Sequence, residues 1–528
     1  MAGSESNTAS HVRQVSASEV DEHLAALVGN AAAVAAVASA VEGTLGPKGL
    51  NCMLVDRFGD VTITNDGSTI LDKIDVSHPA SKLLIQVARA QDREVGDGTT
   101  TATILASALI SAGVDRVRQG VPVAKVVEGI GIGMGIAQEA IQQATVEVSG
   151  IDDPLLEKAA FIAGREDAEI AGLALRAAAG VPEAQLLSDP AFRLADHTLA
   201  KEGAESQVVA GLVIDKEPMS RQMPGEVSPA KVLLIDDALE PEVIEEEALR
   251  TEAGFQRYME LQSQFKDDLA ALVLSGANAV FVRKGVCEPA EEALTGHGIL
   301  VVRRMLARDL ARLAEFTGGA VVKRSGLRRS PEELGQCLGH AHSVVHDRRL
   351  EHIRVTGGAA QPAATILVGA ATREVREERQ RIAQDAACAV QAAARGGVVP
   401  GGGAAELYAM RRVQMARQNM GGLAAYGVDC VVEALRRPLW QIVSNAGFNP
   451  LEKVEEAIAA GVTHDSAAYA VNCDSGEVVD MIQAGVVDPA PVKTHALQAA
   501  REVAEAILRI SVVIRKKDER VSGDGVPG

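Results

Sequence analysis

Residues 94–110 read Glu94-Val95-Gly96-Asp97-Gly98-Thr99-Thr100-Thr101 and then ATILASALI, so a glycine-bracketed aspartate runs straight into an apolar stretch. The spacing predicts a helix that begins near Thr99. A helix start offers N–H groups without intrahelical partners and a partial positive charge, which suits phosphate. Gly96 and Gly98 let a backbone approach closely, and three threonines add hydroxyl donors. Asp97 is of the right type to hold Mg2+ against phosphates. The same residues also suit an ordinary Asp/Thr helix cap.

Other candidate motifs lie on both sides. Upstream, Leu45-Gly46-Pro47-Lys48-Gly49 sets a rigid proline between glycines, a turn whose amides can face an anion or a plain turn. It lacks the Walker A pattern. Asn65-Asp66-Gly67 lies between VTIT and STIL and is also good turn sequence. Downstream, Asp385 lies within IAQDAACAVQAAA. Ile382, Asp385, Ala386 and Ala389 share one helical face, where a carboxylate needs either a ligand or a salt bridge. Pro400-Gly401-Gly402-Gly403 is a hinge or a bare backbone surface that can lie flat on a ring. Asp488-Pro489 is a hydroxyl acceptor or a helix start.

The chain has 528 residues, enough for about three or four domains. At 47% apolar it can build cores, and its net charge of −19 disfavours nucleic acid and anionic membranes as partners. Aromatics are 2%, too few for base-stacking platforms. The six cysteines form no CxxC or zinc-knuckle spacing and suit a reducing compartment. The N-terminal stretch MAGSESNTASHVRQVSASEVDEH has no apolar signal core, and no 18-residue stretch reads as apolar enough to span a bilayer. The expectation is a cytoplasmic protein.

Residues 21–41 read as an Ala-rich helix, 51–63 as two strands around the turn Arg57–Asp60, and 99–145 as helix. Gly129, Gly131, Gly133 and Gly135 miss the dinucleotide-loop spacing and suit close helix packing. KVLLIDD (231–237), NAVFVRKG (278–285), GILVVRR (298–304) and AVVKRSG (320–326) read as strands alternating with helices at 288–295 and 307–316. That alternation predicts an α/β domain. Phe255, Tyr258, Met259, Phe265, Leu269 and Leu272 recur at helical spacing within a charged insertion, 240–275. Residues 367–395 read as a charged helix, 396–528 as Ala-rich helices, and the tail 516–528 as disordered. A helical domain made from both chain ends, with the centre inserted, is the expected plan.

Taken together, LGPKG (45–49), TITNDGSTIL (62–71), DVSHPASKLL (75–84), EVGDGTTTATIL (94–105), VVPGGGAAE (398–406) and the Asp488 region resemble a chaperonin over nearly the whole chain. HPASKLL, the helical insertion and VVPGGG resemble the group II type of archaea and the eukaryotic cytosol. The related lineage in bacteria is the other candidate. The resemblance implies a multidomain fold. Its parts are a mainly α equatorial ATP-binding domain (1–143 and 399–528), a small α+β intermediate domain (144–211 and 367–398) and an α/β apical substrate-binding domain (212–366). The apical domain carries a helical protrusion at about 240–275 that acts as a built-in lid.

The implied function is ATP-driven folding of non-native proteins by an ATPase. The implied assembly is a homo-oligomer of two stacked rings of about eight subunits, with no separate lid co-chaperonin. By the same resemblance Leu45, Gly46, Pro47, Gly98, Thr99, Thr100 and Thr101 cradle the ATP phosphates, and Asp97 binds Mg2+. Gly402, Asn472 and Asp488 contact the nucleoside, and Asp66 and Asp385 orient the attacking water. Group II proteins carry a nucleotide-sensing lysine in a loop near 160–170, whereas FIAGREDAEI here has Arg165 and no lysine. Client capture is expected on Phe255, Tyr258, Met259 and Phe265, with Leu310, Leu313 and Phe316 as a second face. The rival readings are an ATP-independent holdase ring and a metabolic kinase, the latter without a candidate acceptor site.

Overall fold

The structure, a computed structural model, describes residues 17–59, 61–244 and 250–511. The expected tail at 516–528 and residues 245–249 of the insertion lie outside the described residues. The chain divides into two compact units, one of residues up to 147 with those from 397 onward, the other of 148–396.

The first unit is built on long helices: Ala17–Glu42, Pro79–Glu94, Thr99–Arg118, Val123–Gln143, Ala404–Gln418, Ala425–Asn445 and Ala490–Leu508. They share one core that includes Leu27, Leu84, Leu105, Leu109, Ile130, Met134, Leu435 and Leu508. Each fully buried Leu or Ile contributes about 1.5–3 kcal/mol of burial. Small residues set how closely these helices approach. A Cβ on Gly129 would overlap the Ala424 carbonyl, and one on Gly133 would lie 2.8 Å from Val431 Cγ2. Gly135 meets nothing within 4 Å.

Residues 24–42 correct the expectation about bilayer-length segments. The stretch is long and apolar enough by composition, with a mean hydropathy of 2.0. Leu27, Val34, Val37, Ala38 and Val41 are buried in the helical core, so this face packs against protein. The region from 396 onward is also less purely helical than expected. Val398–Pro400 pairs antiparallel with Val487–Pro489, and Tyr469–Val471 with Val478–Asp480. Cys52–Val55 and Val61–Thr64 form the expected hairpin.

The second unit contains a ten-stranded sheet. The four expected strands appear as Ala230–Ile235, Ala279–Val282, Leu300–Val302 and Val321–Val322, in parallel pairings. They alternate with helices Glu252–Leu274, Glu288–Gly296 and Ala307–Thr317. The sheet continues antiparallel through Gly339–Asp347, His352–Gly358, Gln207–Ile214 and Ala364–Ala370, and Thr198–Glu202 pairs parallel to the last. The charged helix expected from 367 therefore begins later: Ala364–Ala370 is a strand and the helix is Arg373–Gly396. ATILVGA carries no charge and buries nearly every residue, which suits a central strand.

Burial sorts the apolar residues of this unit. Phe255 is 56% exposed, and Tyr258 and Met259 are exposed beside it. Phe265, Leu269 and Leu272 are buried against Leu233, Val280 and Leu294. Leu310, Leu313 and Phe316 are buried against Val232, Phe281 and Val355. Phe265 and the Ala307–Thr317 face therefore belong to cores, because helix periodicity alone does not say which side is covered.

Candidate functional site

Most of the candidate residues lie in the helical unit, on loops held at helix starts. Gly98 adopts a left-handed backbone, φ 77°, as the N-cap of Thr99–Arg118, and no side chain caps that helix. The first helical bond runs from the Ala102 N–H to the Gly98 carbonyl. The amides of Thr99, Thr100 and Thr101 thus have no partner among the described residues, an arrangement that suits an anion. Buried Gln91 fixes the loop from behind. Its Nε2 donates to the Asp97 carbonyl at 2.8 Å and to the Val492 carbonyl at 3.0 Å.

Asp66 caps the helix Gly67–Lys73. Its Oδ2 accepts from the Thr69 N–H and the Ser68 hydroxyl, both at 2.8 Å, and its Oδ1 from the Ser68 N–H. Gly67 is where this turn meets the phosphate-type loop. A Cβ there would overlap Thr100 Oγ1 and lie 3.2 Å from Thr99 Oγ1. On the Leu45–Gly49 turn, Gly46 has φ 86°, and Asn445 Nδ2 donates to the Leu45 and Glu42 carbonyls. Lys48 reaches Asp474 at 2.6 Å, beside Asn472, whose own Oδ1 caps the Asp474 and Ser475 amides. That Asn472 oxygen is thus engaged within its own turn. Gly402 has φ 62° and sits near Met481, while Gly401 donates to the Val486 carbonyl on the approach to Asp488.

Three carboxylates, Asp97, Asp488 and Asp66, lie close enough to perturb one another. The Asp97 carboxyl is raised above the ordinary carboxylate range, chiefly by burial and then by Asp488 and Asp66. The Gly98 N–H and Lys493 oppose the rise. Lys493 Nζ lies 2.7 Å from Asp488 Oδ2 and 2.8 Å from Glu406 Oε1. Lys493 is 8% exposed and Glu406 2%. Its two carboxylate partners push the lysine upward despite burial, which acts in the opposite sense.

Gln91, Glu406 and Lys493 are absent from the sequence-based set. Lys493 had a legible signal: it shares a helical stripe with Ala496, Leu497 and Ala500, all buried. Glu406 sits in the first turn after the glycine run, which looks like ordinary helix-dipole chemistry. Gln91 has no sequence signal of its own.

Asp385 stands in the other unit, half-buried on Arg373–Gly396 among the buried residues Ala383, Ala386 and Ala387. On the same helix Glu378 pairs with Arg165, and Arg379 with Glu169 at 2.6 Å and Asp167 at 3.7 Å. Arg165 and Glu166 both have positive φ, 55° and 63°, so the 164–167 loop is a strained turn pinned to that helix.

Among the described residues no group of three or more His, Cys, Asp or Glu has metal-cage geometry. The donor chemistry still fits a nucleotide with a hard cation. A buried carboxyl held above its usual range beside two further carboxylates is relieved by a divalent ion, and the adjoining amides and hydroxyls suit phosphate.

Comparison with known proteins concerns the chain as a whole. A family model described as the TCP-1/cpn60 chaperonin family matches residues 37–518. The chain is 37% identical to the thermosome subunit beta of Archaeoglobus fulgidus over 517 residues, covering 94% of each chain. It is 34% identical to the thermosome subunit of Pyrococcus abyssi over 522 residues, covering 94% of this chain and 92% of that one. A crystal structure of a group III chaperonin in the open state superposes with a TM-score of 0.81 at 43% identity. The match covers 94% of this chain and all of that one. With these matches, the chain belongs to the TCP-1/cpn60 chaperonin family of ATP-dependent chaperones.

Proposed function

We propose that the helical unit binds ATP with Mg2+ and that hydrolysis there drives a folding cycle on non-native proteins. The observation that carries this reading is the meeting of the Asp66 turn, the Gly98–Thr101 helix start and the Asp97–Asp488–Lys493 cluster within one unit. In it, the uncapped amides of Thr99–Thr101 and the Leu45–Gly46–Pro47 turn hold phosphate oxygens. Asp97 holds Mg2+, which neutralises phosphate charge when bound. Gly402 and Asn472 contact the nucleoside, and Asp488 accepts from a sugar hydroxyl. Asp66, fixed by four hydrogen bonds from Ser68 and Thr69, orients the attacking water together with Asp385. Phosphoryl transfer needs mainly positioning and charge neutralisation, which these groups supply.

Asp385 lies on a helix of the other unit, so the chemistry is assigned to a conformation in which the intermediate segments (144–211 and 367–398) have closed on the equatorial ones (1–143 and 399–528). Hydrolysis is then gated by the closure that also moves the apical region (212–366) and its lid. The assembly assigned is a homo-oligomer of two stacked rings of about eight subunits in the cytoplasm, with no separate lid protein. The 52–64 hairpin supports a subunit contact. Leu50, Met53, Val55, Val61 and Ile63 are each more than half exposed and Phe58 is 79% exposed, an apolar surface that an assembly would cover.

Titration calorimetry with ADP and Mg2+ tests the reading. Binding by the intact protein, lost in Asp97→Ala and kept in Asp385→Ala, is expected. Equal binding by all three would overturn the site.

A further inference from the structure

The carboxylate cluster around Asp97 contains one fixed cation among the described residues, and its placement is specific. Lys493 sits in the first turn of Ala490–Leu508, where the helix dipole disfavours a positive charge, and it is almost fully buried. Two carboxylates offset both costs. Glu406 comes from the first turn of Ala404–Gln418, directly after the glycine run. Asp488 comes from the strand before Pro489. Buried ion pairs of this kind are weak sources of stability, since well-packed apolar groups often do as well. What such a triad does fix is direction.

Lys493 Nζ lies 2.7 Å from Oδ2 of Asp488, and no side chain among the described residues bonds Oδ1. The Asp488 side chain keeps 20% of its surface, against 2% for Glu406. One oxygen of Asp488 is therefore anchored and the other is presented. Its backbone is held too, because Asp488 pairs with Val399 in the short ladder beside the glycine run.

We propose that Lys493, held as an ion pair between Glu406 and Asp488, is a positioning residue that aims the free oxygen of Asp488 at a sugar hydroxyl and so makes the site selective for ribonucleotides. This rests on the assignment of Asp488 as the hydroxyl acceptor. A hydroxyl bonded to a charged acceptor is discriminated strongly from its deoxy analogue, because the acceptor is otherwise left unpaired. Lys493 contributes by fixing where that acceptor points.

The test is equilibrium binding of ADP, 2′-deoxy-ADP and 3′-deoxy-ADP to the assembled full-length protein, none of which requires turnover. The wild type is expected to bind one of the deoxy forms about 10- to 100-fold more weakly than ADP. Asp488→Asn should reduce that ratio to within about threefold. Lys493→Met with Glu406→Gln, which removes both buried charges together, should do the same, and adding Asp488→Asn to it should change the ratio no further.

Lys493→Arg retains the charge and both carboxylates, and it remains testable if the double variant fails to assemble. A planar fork cannot occupy the ammonium position, so its ratio should fall at least about threefold. Loss of discrimination in Asp488→Asn with a wild-type ratio in both lysine variants would overturn the role of Lys493 alone. A wild type that does not discriminate, or Asp488→Asn with the full ratio, would overturn the assignment of Asp488 and this inference with it.

Discussion

Gly67→Ala isolates the contact between the Asp66 turn and the Thr99–Thr101 helix start. Gly67 is the first residue of Gly67–Lys73, and its φ lies outside the left-handed region, so alanine is allowed by the backbone. In a helix alanine gains about 1 kcal/mol over glycine. Against this, the new methyl would overlap Thr100 Oγ1 and approach Thr99 Oγ1 at 3.2 Å and Thr100 Cβ at 3.4 Å. Rotating Thr100 relieves the first contact and leaves the other two. Overpacking of this kind costs about 1–3 kcal/mol, so global stability should change by no more than about 2 kcal/mol.

The geometry of the site should absorb the difference. If the full 1–3 kcal/mol falls on the ligand-bound arrangement, affinity drops about 5- to 150-fold. The assay is ADP titration of the assembled protein, run beside denaturant unfolding. Gly135→Ala is the control, since nothing lies within 4 Å of that position. It should leave binding unchanged. A Gly67→Ala protein that binds ADP as tightly as the wild type would refute the argument that these two loops form one site.

Three further outcomes follow from the same geometry. Asp385→Ala should bind ADP normally and hydrolyse ATP about 100-fold or more slowly, measured by phosphate release; an unchanged steady-state rate removes Asp385 from the chemistry. Asp97 is raised in the folded protein, so the stability it contributes is present below the ordinary carboxylate range and lost as pH rises through its raised value. Above the ordinary carboxylate range the buried Asp97 carboxyl therefore costs stability, and at pH 7 Asp97→Asn should raise the unfolding midpoint while abolishing Mg2+-dependent binding. That gain should shrink as the pH is lowered, and a lower midpoint at pH 7 would contradict the assigned cause. Phe255→Ser with Tyr258→Ser exposes no core, because both side chains are exposed already. The pair should weaken capture of an unfolded client in a light-scattering assay without changing the ATPase rate, and unchanged capture removes the 252–274 helix as a client surface.

The chain announces its loops more clearly than its sheet. Gly98, Gly46 and Gly402 stand in motifs legible as turns, and all three adopt positive φ. Strands such as Ala279–Val282 are short apolar runs and are legible for that reason. Gly339–Asp347 reads GHAHSVVHD, alternating polar histidines outward with Ala341 and Ser343 inward, so hydropathy alone does not mark it. Phe265 and Leu313 show helical periodicity, but which face a helix covers is decided by the sheet it lands on. The charged core of the site was the least legible part. Asp385 stands out as an acid on an apolar stripe. Lys493 carries the same signal, yet its meaning depends on Glu406 and Asp488, which approach it only in three dimensions. Gln91 acts through two backbone carbonyls and leaves no pattern at all.

Nucleotide bound in the helical unit is proposed to drive closure of a ring with its own lid. Electron microscopy of the purified protein, with and without an ATP transition-state analogue, tests it most directly. Double rings that are open alone and closed with the analogue are expected. Rings that stay open with the analogue bound would contradict it.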